Sequence, residues 1–260
     1  MTESFAVRIG IDTPLSLRGL LHLDGLLGSL AVARGREATN IPLLKHEGIW
    51  QGSAAILETG PFGALAAGQF RIKHVIAAAA ADDFFDHLKP AQRKIGKMSP
   101  MRNILSAYPL YEGIRAVWFT GRGDPEAVVD LLHDARNLGA MGRTGYGRVT
   151  DLELIKVDDE PMSGLVASSD LPARTVPVEL WDRFGLGRPD AAIISLQRVQ
   201  PPYWTGPELV CISPMQVDLS GTLGEIRAIV RASWDPPAGQ QMLRPKIPSR
   251  ILGSSRYLTC

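Results

Sequence analysis

Apolar and polar positions alternate from Phe5 to Ile11 (Phe-Ala-Val-Arg-Ile-Gly-Ile), which predicts a strand. Asp12-Thr13-Pro14 follows as a turn, and Leu15 to Leu21 is an apolar connector that carries Arg18. Leu23, Leu26, Leu27, Leu30 and Ala31 then recur at helical spacing and predict a helix with one buried face. Gly25 and Gly28 lie inside it. Each costs about 1 kcal/mol against Ala in a helix, so their presence predicts close packing of this helix on a sheet. Ile49 to Leu57 and Phe70 to Ala77 predict two more strands, the first stopped by Gly60-Pro61, and the two are expected to pair as a hairpin. Ile114 to Thr120 predicts a central strand. Asp124-Pro125 supplies an N-cap and an N1 proline for a helix whose apolar face is Ala127, Val128, Leu131, Leu132, Ala135 and Leu138. Val149, Leu152, Leu154 and Val157 mark a last strand.

This order predicts an α+β fold. Two βαβ-like halves suggest a ferredoxin-like sheet with two helices on one face, occupying residues 1–157. RRM domains share that shape, but their aromatic RNP1 string is absent, so base stacking on an open sheet is not expected. After Asp158-Asp159-Glu160-Pro161 proline becomes frequent, and 158–235 reads as a smaller β-rich, Pro-rich part. Within it Ala191 to Val199 is a strand with which Leu209 to Ile212 can pair. Pro201-Pro202-Tyr203-Trp204 reads as a stiff aromatic corner that plugs a core where the chain turns. Residues 236–260 read as a basic tail with Arg244, Lys246, Arg250 and Arg256 and no acid.

Composition adds little until charge is placed along the chain. The 260 residues carry a net charge of only +1 and are 45% hydrophobic and 21% charged, which suits an ordinary packed core. From Lys89 to Arg148, however, ten Lys and Arg face five acids, whereas Asp151 to Asp190 holds nine acids and four bases. A basic middle of this kind can hold a polyanion locally. Its densest part, about 86–112, contains Arg93, Lys94, Lys97 and Arg102 without one acid between Asp86 and Glu112. Pro90, Gly96 and Pro100 keep it from forming a long helix, so it is expected as a basic hairpin-like insertion; a solvated surface loop is the plainer reading. Cys211 and Cys260 support neither a disulfide framework nor a zinc pattern, and no metal or cofactor is expected. No signal peptide is visible and the longest apolar run, Val75 to Ala81, is far too short to span a bilayer, so a cytoplasmic protein without membrane contact is expected.

The stretch from Asn137 to Asp151 carries the most chemistry. Gly139, Gly142, Gly145 and Gly147 crowd into nine positions with Arg143, Tyr146 and Arg148 among and after them. The loop follows a helix and precedes a strand. Phosphate-binding Walker A and dinucleotide loops run the other way, from strand into helix, so neither is present. Backbone N–H groups beside two guanidinium groups still suit a polyanion, RNA more than a nucleotide. The plainer reading makes Gly139 a helix C-cap and the other glycines a turn.

Three strings together carry a resemblance to a known family: His22-Leu23-Asp24-Gly25-Leu26-Leu27, Gly139 to Gly147 with Arg148-Val149, and Pro201-Pro202-Tyr203-Trp204. With the element order they span about Phe5 to Pro214. The chain resembles a RAMP-superfamily protein of a type IV CRISPR effector complex, the small subunit that caps the 5′ handle of the guide RNA. The resemblance implies a non-catalytic RNA-binding role in antiplasmid or antiviral defence. Gly142, Arg143, Gly145, Tyr146, Gly147 and Arg148 match the family's glycine-rich loop. Arg93, Lys94, Lys97 and Arg102 fall where its thumb would be, and Arg18 and His22 are further candidate RNA contacts. Implied partners are the guide-RNA handle, the repeated backbone RAMP subunit, the large subunit and, indirectly, target DNA. Two alternatives stand beside this. One is a metal-independent endoribonuclease acting on repeat RNA, for which His22, His87 and Tyr146 are the conceivable bases. The other is an RNA-independent assembly scaffold. The carboxylates Asp82-Asp83 and Asp158-Asp159-Glu160 read as turn and surface charge rather than a metal nuclease centre.

Overall fold

The computed structural model describes residues 2–17, 19–77, 101–167, 171–187, 192–201, 203, 207–232 and 242–243. In chain order the strands are β1 (Glu3–Ile11), β2 (Leu15–Ser16), β3 (Lys45–His46), β4 (Ile49–Trp50), β5 (Ile56–Thr59), β6 (Leu65–Ala77), β7 (Met101–Glu112), β8 (Ile114–Gly123), β9 (Val149–Lys156), β10 (Val166–Ala167), β11 (Leu171–Pro172), β12 (Val176–Pro177), β13 (Ile193–Gln197), β14 (Leu209–Ser213), β15 (Gln216–Ser220) and β16 (Met242–Leu243). The α-helices are α1 (Leu23–Ala33), α2 (Pro125–Leu132), α3 (Val178–Arg183) and α4 (Leu223–Arg231).

The protein is α+β around a mixed six-stranded sheet ordered β16-β15-β5-β8-β1-β9. β1 lies antiparallel between β8 and β9, β5 is antiparallel to β8, and β15 is parallel to β5. Alternation along β1 divides its residues between two cores. Phe5, Val7 and Ile9 face α1 and α2 with Leu57, Val117 and Phe119, while Ala6 faces the other way with Ile56, Trp118 and Ile155. α2 starts as expected: the Asp124 carboxylate accepts the Ala127 N–H at 3.0 Å ahead of Pro125. It stops at Leu132, earlier than its apolar spacing suggests, and Leu138 fills the same core from irregular chain.

The second face of the sheet is closed. α4 lays Ile226 and Val230 over Trp118, Val217 and Leu219, and Arg8 spans Glu58 and Asp151 beside them. From the part expected as 158–235, β15 joins the central sheet beside β5 and α4 covers it. The rest of that part forms the three-stranded sheet β12-β14-β13 over a third core with Trp181 and Cys211. There the expected pairing of the two strands occurs, Ile193–Gln197 against Leu209–Ser213.

The hairpin differs from the expectation. Ile49–Trp50 and Ile56–Thr59 are separate short strands, and neither pairs with β6. β6 instead runs antiparallel to β7 from Leu65↔Glu112 to Ala77↔Met101. Of the expected insertion at 86–112, Met101–Glu112 is the second arm of a long hairpin whose first arm is Leu65–Ala77, and residues 86–100 lie outside the described residues. Among the described residues no helix is long and apolar enough to cross a membrane.

Candidate nucleic-acid interface

One end of the sheet gathers the glycine-rich loop and the foot of the hairpin. The end of β1, the start of β8, the start of β9 and the end of β5 all lie there, as the registers Ile11↔Val149, Gly10↔Ala116 and Thr59↔Ile114 require. The chain leaving β1 is the link. Leu15 and Ser16 pair with Tyr111 and Leu110 of the hairpin, and the glycine-rich loop hydrogen-bonds to the same short segment. The Gly147 N–H donates to Pro14 O at 2.8 Å, the Ala140 N–H to Ser16 O at 2.8 Å and the Arg148 N–H to Thr13 Oγ1 at 2.8 Å.

Two of the glycines make this docking possible. Gly139 and Gly147 have φ of +72° and +64°, and a Cβ on them would stand 2.3 Å from Ser16 O and 2.2 Å from Leu138 O. No other residue fits such a space in that conformation. Gly139 is not the cap of α2, whose C-cap is His133. Between them Gly142–Thr144 form a 3-10 turn that exposes Arg143 and Thr144, and Gly145 (φ +91°) closes it into open space. Asn137 braces the loop by donating Nδ2 to Tyr146 O at 3.1 Å.

The two loop arginines differ. Arg143 is exposed and makes no ion pair among the described residues. Arg148 is exposed too, but its guanidinium is bidentate on Asp12, with Nε 2.9 Å from Oδ1. That pairing holds the Asp12 carboxyl below the usual carboxylate range and raises the Arg148 pKa. Part of the loop's positive charge is therefore already neutralised within the chain. On the hairpin, Arg102 stands on β7 opposite Ile76. Arg18, Arg93, Lys94 and Lys97 lie outside the described residues, as does His87. The sequence reading passed over Arg71 and Lys73, which stand on β6 opposite Ala107 and Leu105. It also passed over the exposed Arg115 near the hairpin foot. The signal for Arg71 and Lys73 was the basic character of the strand Phe70 to Ala77 itself.

His22 does not sit at this surface. It is buried with Asp24 and Arg174, beside the half-buried Tyr203, between α1 and the chain around β12, and its Nε2 accepts the Thr175 N–H at 3.3 Å. Burial and the Arg174 charge hold its imidazole down to about 4, against the pull of Asp24, so it is neutral at neutral pH. The expectation of an RNA contact at His22 does not fit this placement. Around it, Arg174 reaches Asp24 Oδ2 at 3.1 Å, Trp50 O at 2.6 Å and Val199 O at 3.3 Å, and the Tyr203 hydroxyl donates to Asp24 Oδ1 at 2.7 Å. Two of the three strings that carried the resemblance thus meet in one internal cluster. Gly25 belongs to the same contact: a Cβ there would come 2.8 Å from the Tyr203 ring, so the helix glycine accommodates an aromatic rather than a sheet. Gly28 likewise abuts Ala38 O.

Beside the loop lies a cleft of about 340 Å³ between Ser16, Leu17 and Gly19 to Leu21 on one side, α1, and Asn137, Gly139 and Ala140 on the other. No group of three or more His, Cys, Asp or Glu among the described residues is placed to hold a metal ion. Residues 3–214 match the family model described as CRISPR type IV associated protein Csf3. No curated protein matches the chain.

Proposed function

Because the chain belongs to the CRISPR type IV associated Csf3 family, a RAMP-type subunit of type IV complexes, we propose that it binds the 5′ handle of the guide RNA without cutting it. The observation that carries this reading is the hydrogen-bonded continuity of the glycine-rich loop, β2 and the hairpin at one end of the sheet. A backbone of phosphates laid across that end meets Arg143 and Arg148 first and the basic hairpin next. We read β1-α1-β5-β8-α2-β9, with β5-β8-β1-β9 side by side and antiparallel, as a ferredoxin-like RAMP domain. Its second face is packed under α4, so the RNA runs along loops and edges, not over an open sheet. The burial of His22 takes away one candidate base for RNA cleavage and supports the non-cutting reading. In the assembled particle the neighbours are the repeated backbone subunit and the large subunit, with target DNA engaged through the guide.

A labelled repeat-derived RNA incubated with the full chain at two salt concentrations tests this. Retained, intact RNA with affinity falling steeply with salt is the expected result, at about 0.7 log units per phosphate contact per log unit of salt for a single strand. A single specific cut would instead establish an endoribonuclease, and absence of binding by the chain and by its complex would leave a scaffold.

A further inference from the structure

The cleft beside the glycine-rich loop has a mostly apolar lining, and the loop that forms one side of it carries the exposed Arg143. Leu17, Leu20 and Leu26 form its apolar wall, and Gly139 leaves the opposite side without bulk. Its volume of about 340 Å³ lies at the small end of the range, roughly 300–1,000 Å³, of pockets that take small organic groups. Two polar groups in its lining are incompletely used. The hydroxyl of Ser16 is buried and makes no hydrogen bond among the described residues. Asn137 spends its Nδ2 on Tyr146 O, while its Oδ1 makes no bond among them. A buried hydroxyl without a partner is unusual and asks for one. An apolar slot with a hydroxyl and an amide oxygen, flanked by Arg143 on the same loop, fits one nucleoside whose phosphate stays outside.

Resting on the handle-binding reading, we infer that this cleft receives a single extruded nucleobase of the guide RNA. The phosphate contacts of the loop and hairpin fix the path of the strand, and the cleft fixes its register. Single-stranded RNA is read in this way, by unstacked bases enclosed by side chains and hydrogen-bonded on their edges. In its lining Ser29 on α1 is exposed and Ala140 on the loop is half-buried, and both lie outside the core.

The test is an abasic scan. Repeat-derived RNAs, each lacking one base of the handle, are titrated against the full chain in its reconstituted complex. The inference expects one position whose base removal weakens binding roughly tenfold, with its neighbours nearly unaffected. Ser29→Phe and Ala140→Phe, which fill the cleft from its rim, should lower affinity for the intact RNA by a similar factor. Neither should weaken the RNA abasic at that position further, and the thermal midpoint should stay unchanged. A flat scan with wild-type affinity in both filled variants overturns the cleft and leaves the handle-binding reading standing. No RNA binding by the wild-type complex overturns both.

Discussion

Arg174 meets Asp24 with neither side chain exposed, whereas Arg148 meets Asp12 with 64% and 37% of the two side chains in solvent. One member of each pair, Asp24 and Arg148, lies in a string that carried the family resemblance. Their surroundings set them apart. Inside, each charge has lost its water, and the pair persists because Arg174 also satisfies the carbonyls of Trp50 and Val199 while Tyr203 donates to Asp24. Burial alone would lower the Arg174 pKa; Asp24 and Tyr203 more than offset it and keep the guanidinium charged. At the surface the Arg148–Asp12 pair is screened by water and can exchange one anion for another. The internal pair joins α1 to the C-terminal sheet and belongs to the fold. The exposed pair belongs to the interface.

The largest break in this comparison comes from inside. Asp24→Ala leaves the Arg174 charge buried without its counterion and should cost about 3–5 kcal/mol, read as a shift of the denaturation midpoint. Unchanged stability would place the cluster outside the cooperative core. Acid should press on the same place. The folded-state pKa of His22 is depressed to about 4 from 6.5. Between those values the unfolded chain binds the extra proton, so the contribution is complete above pH 6.5 and is lost as pH falls toward 4. At about 1.36 kcal/mol per pKa unit, this amounts to roughly 3 kcal/mol. Denaturation of wild type and His22→Gln at pH 7.5 and pH 4.5 isolates it: the wild type should lose more stability than the variant, and parallel losses would refute the assignment. Tyr203→Phe removes the donor to Asp24 and should cost about 1–2 kcal/mol without altering RNA affinity. Gentlest is Asp12→Asn, which releases Arg148. It should leave the midpoint nearly unchanged and raise RNA affinity a few-fold at low salt, the gain vanishing at high salt. Weakened binding would mean that Asp12 holds Arg148 in its working position.

The parts of this account that were legible in the sequence are those written in local pattern. Alternation marked β1 and β8, and Asp124-Pro125 with its apolar spacing marked the start of α2. The loop's basic and glycine-rich character was equally plain. What the pattern could not carry was pairing at a distance. β6 finds β7 across the basic segment, and β15 enters the central sheet beside β5 far along the chain. Nothing near Asp24 announces Arg174, and nothing in a lone His at a helix start tells burial from exposure. The glycines of α1 correctly signalled a close approach, but its partner, the ring of Tyr203, came from a string read separately.

The most direct test of the central claim, that the loop end of the sheet grips guide RNA, compares wild type with the double variant Arg143→Ala/Arg148→Ala on intact repeat-derived RNA at low and moderate salt. The account predicts affinity lower by on the order of tenfold, a shallower salt slope and an unchanged thermal midpoint. Wild-type affinity in the double variant, while Arg93→Ala/Lys94→Ala abolishes binding, would contradict it and move the grip from the loop to the hairpin alone.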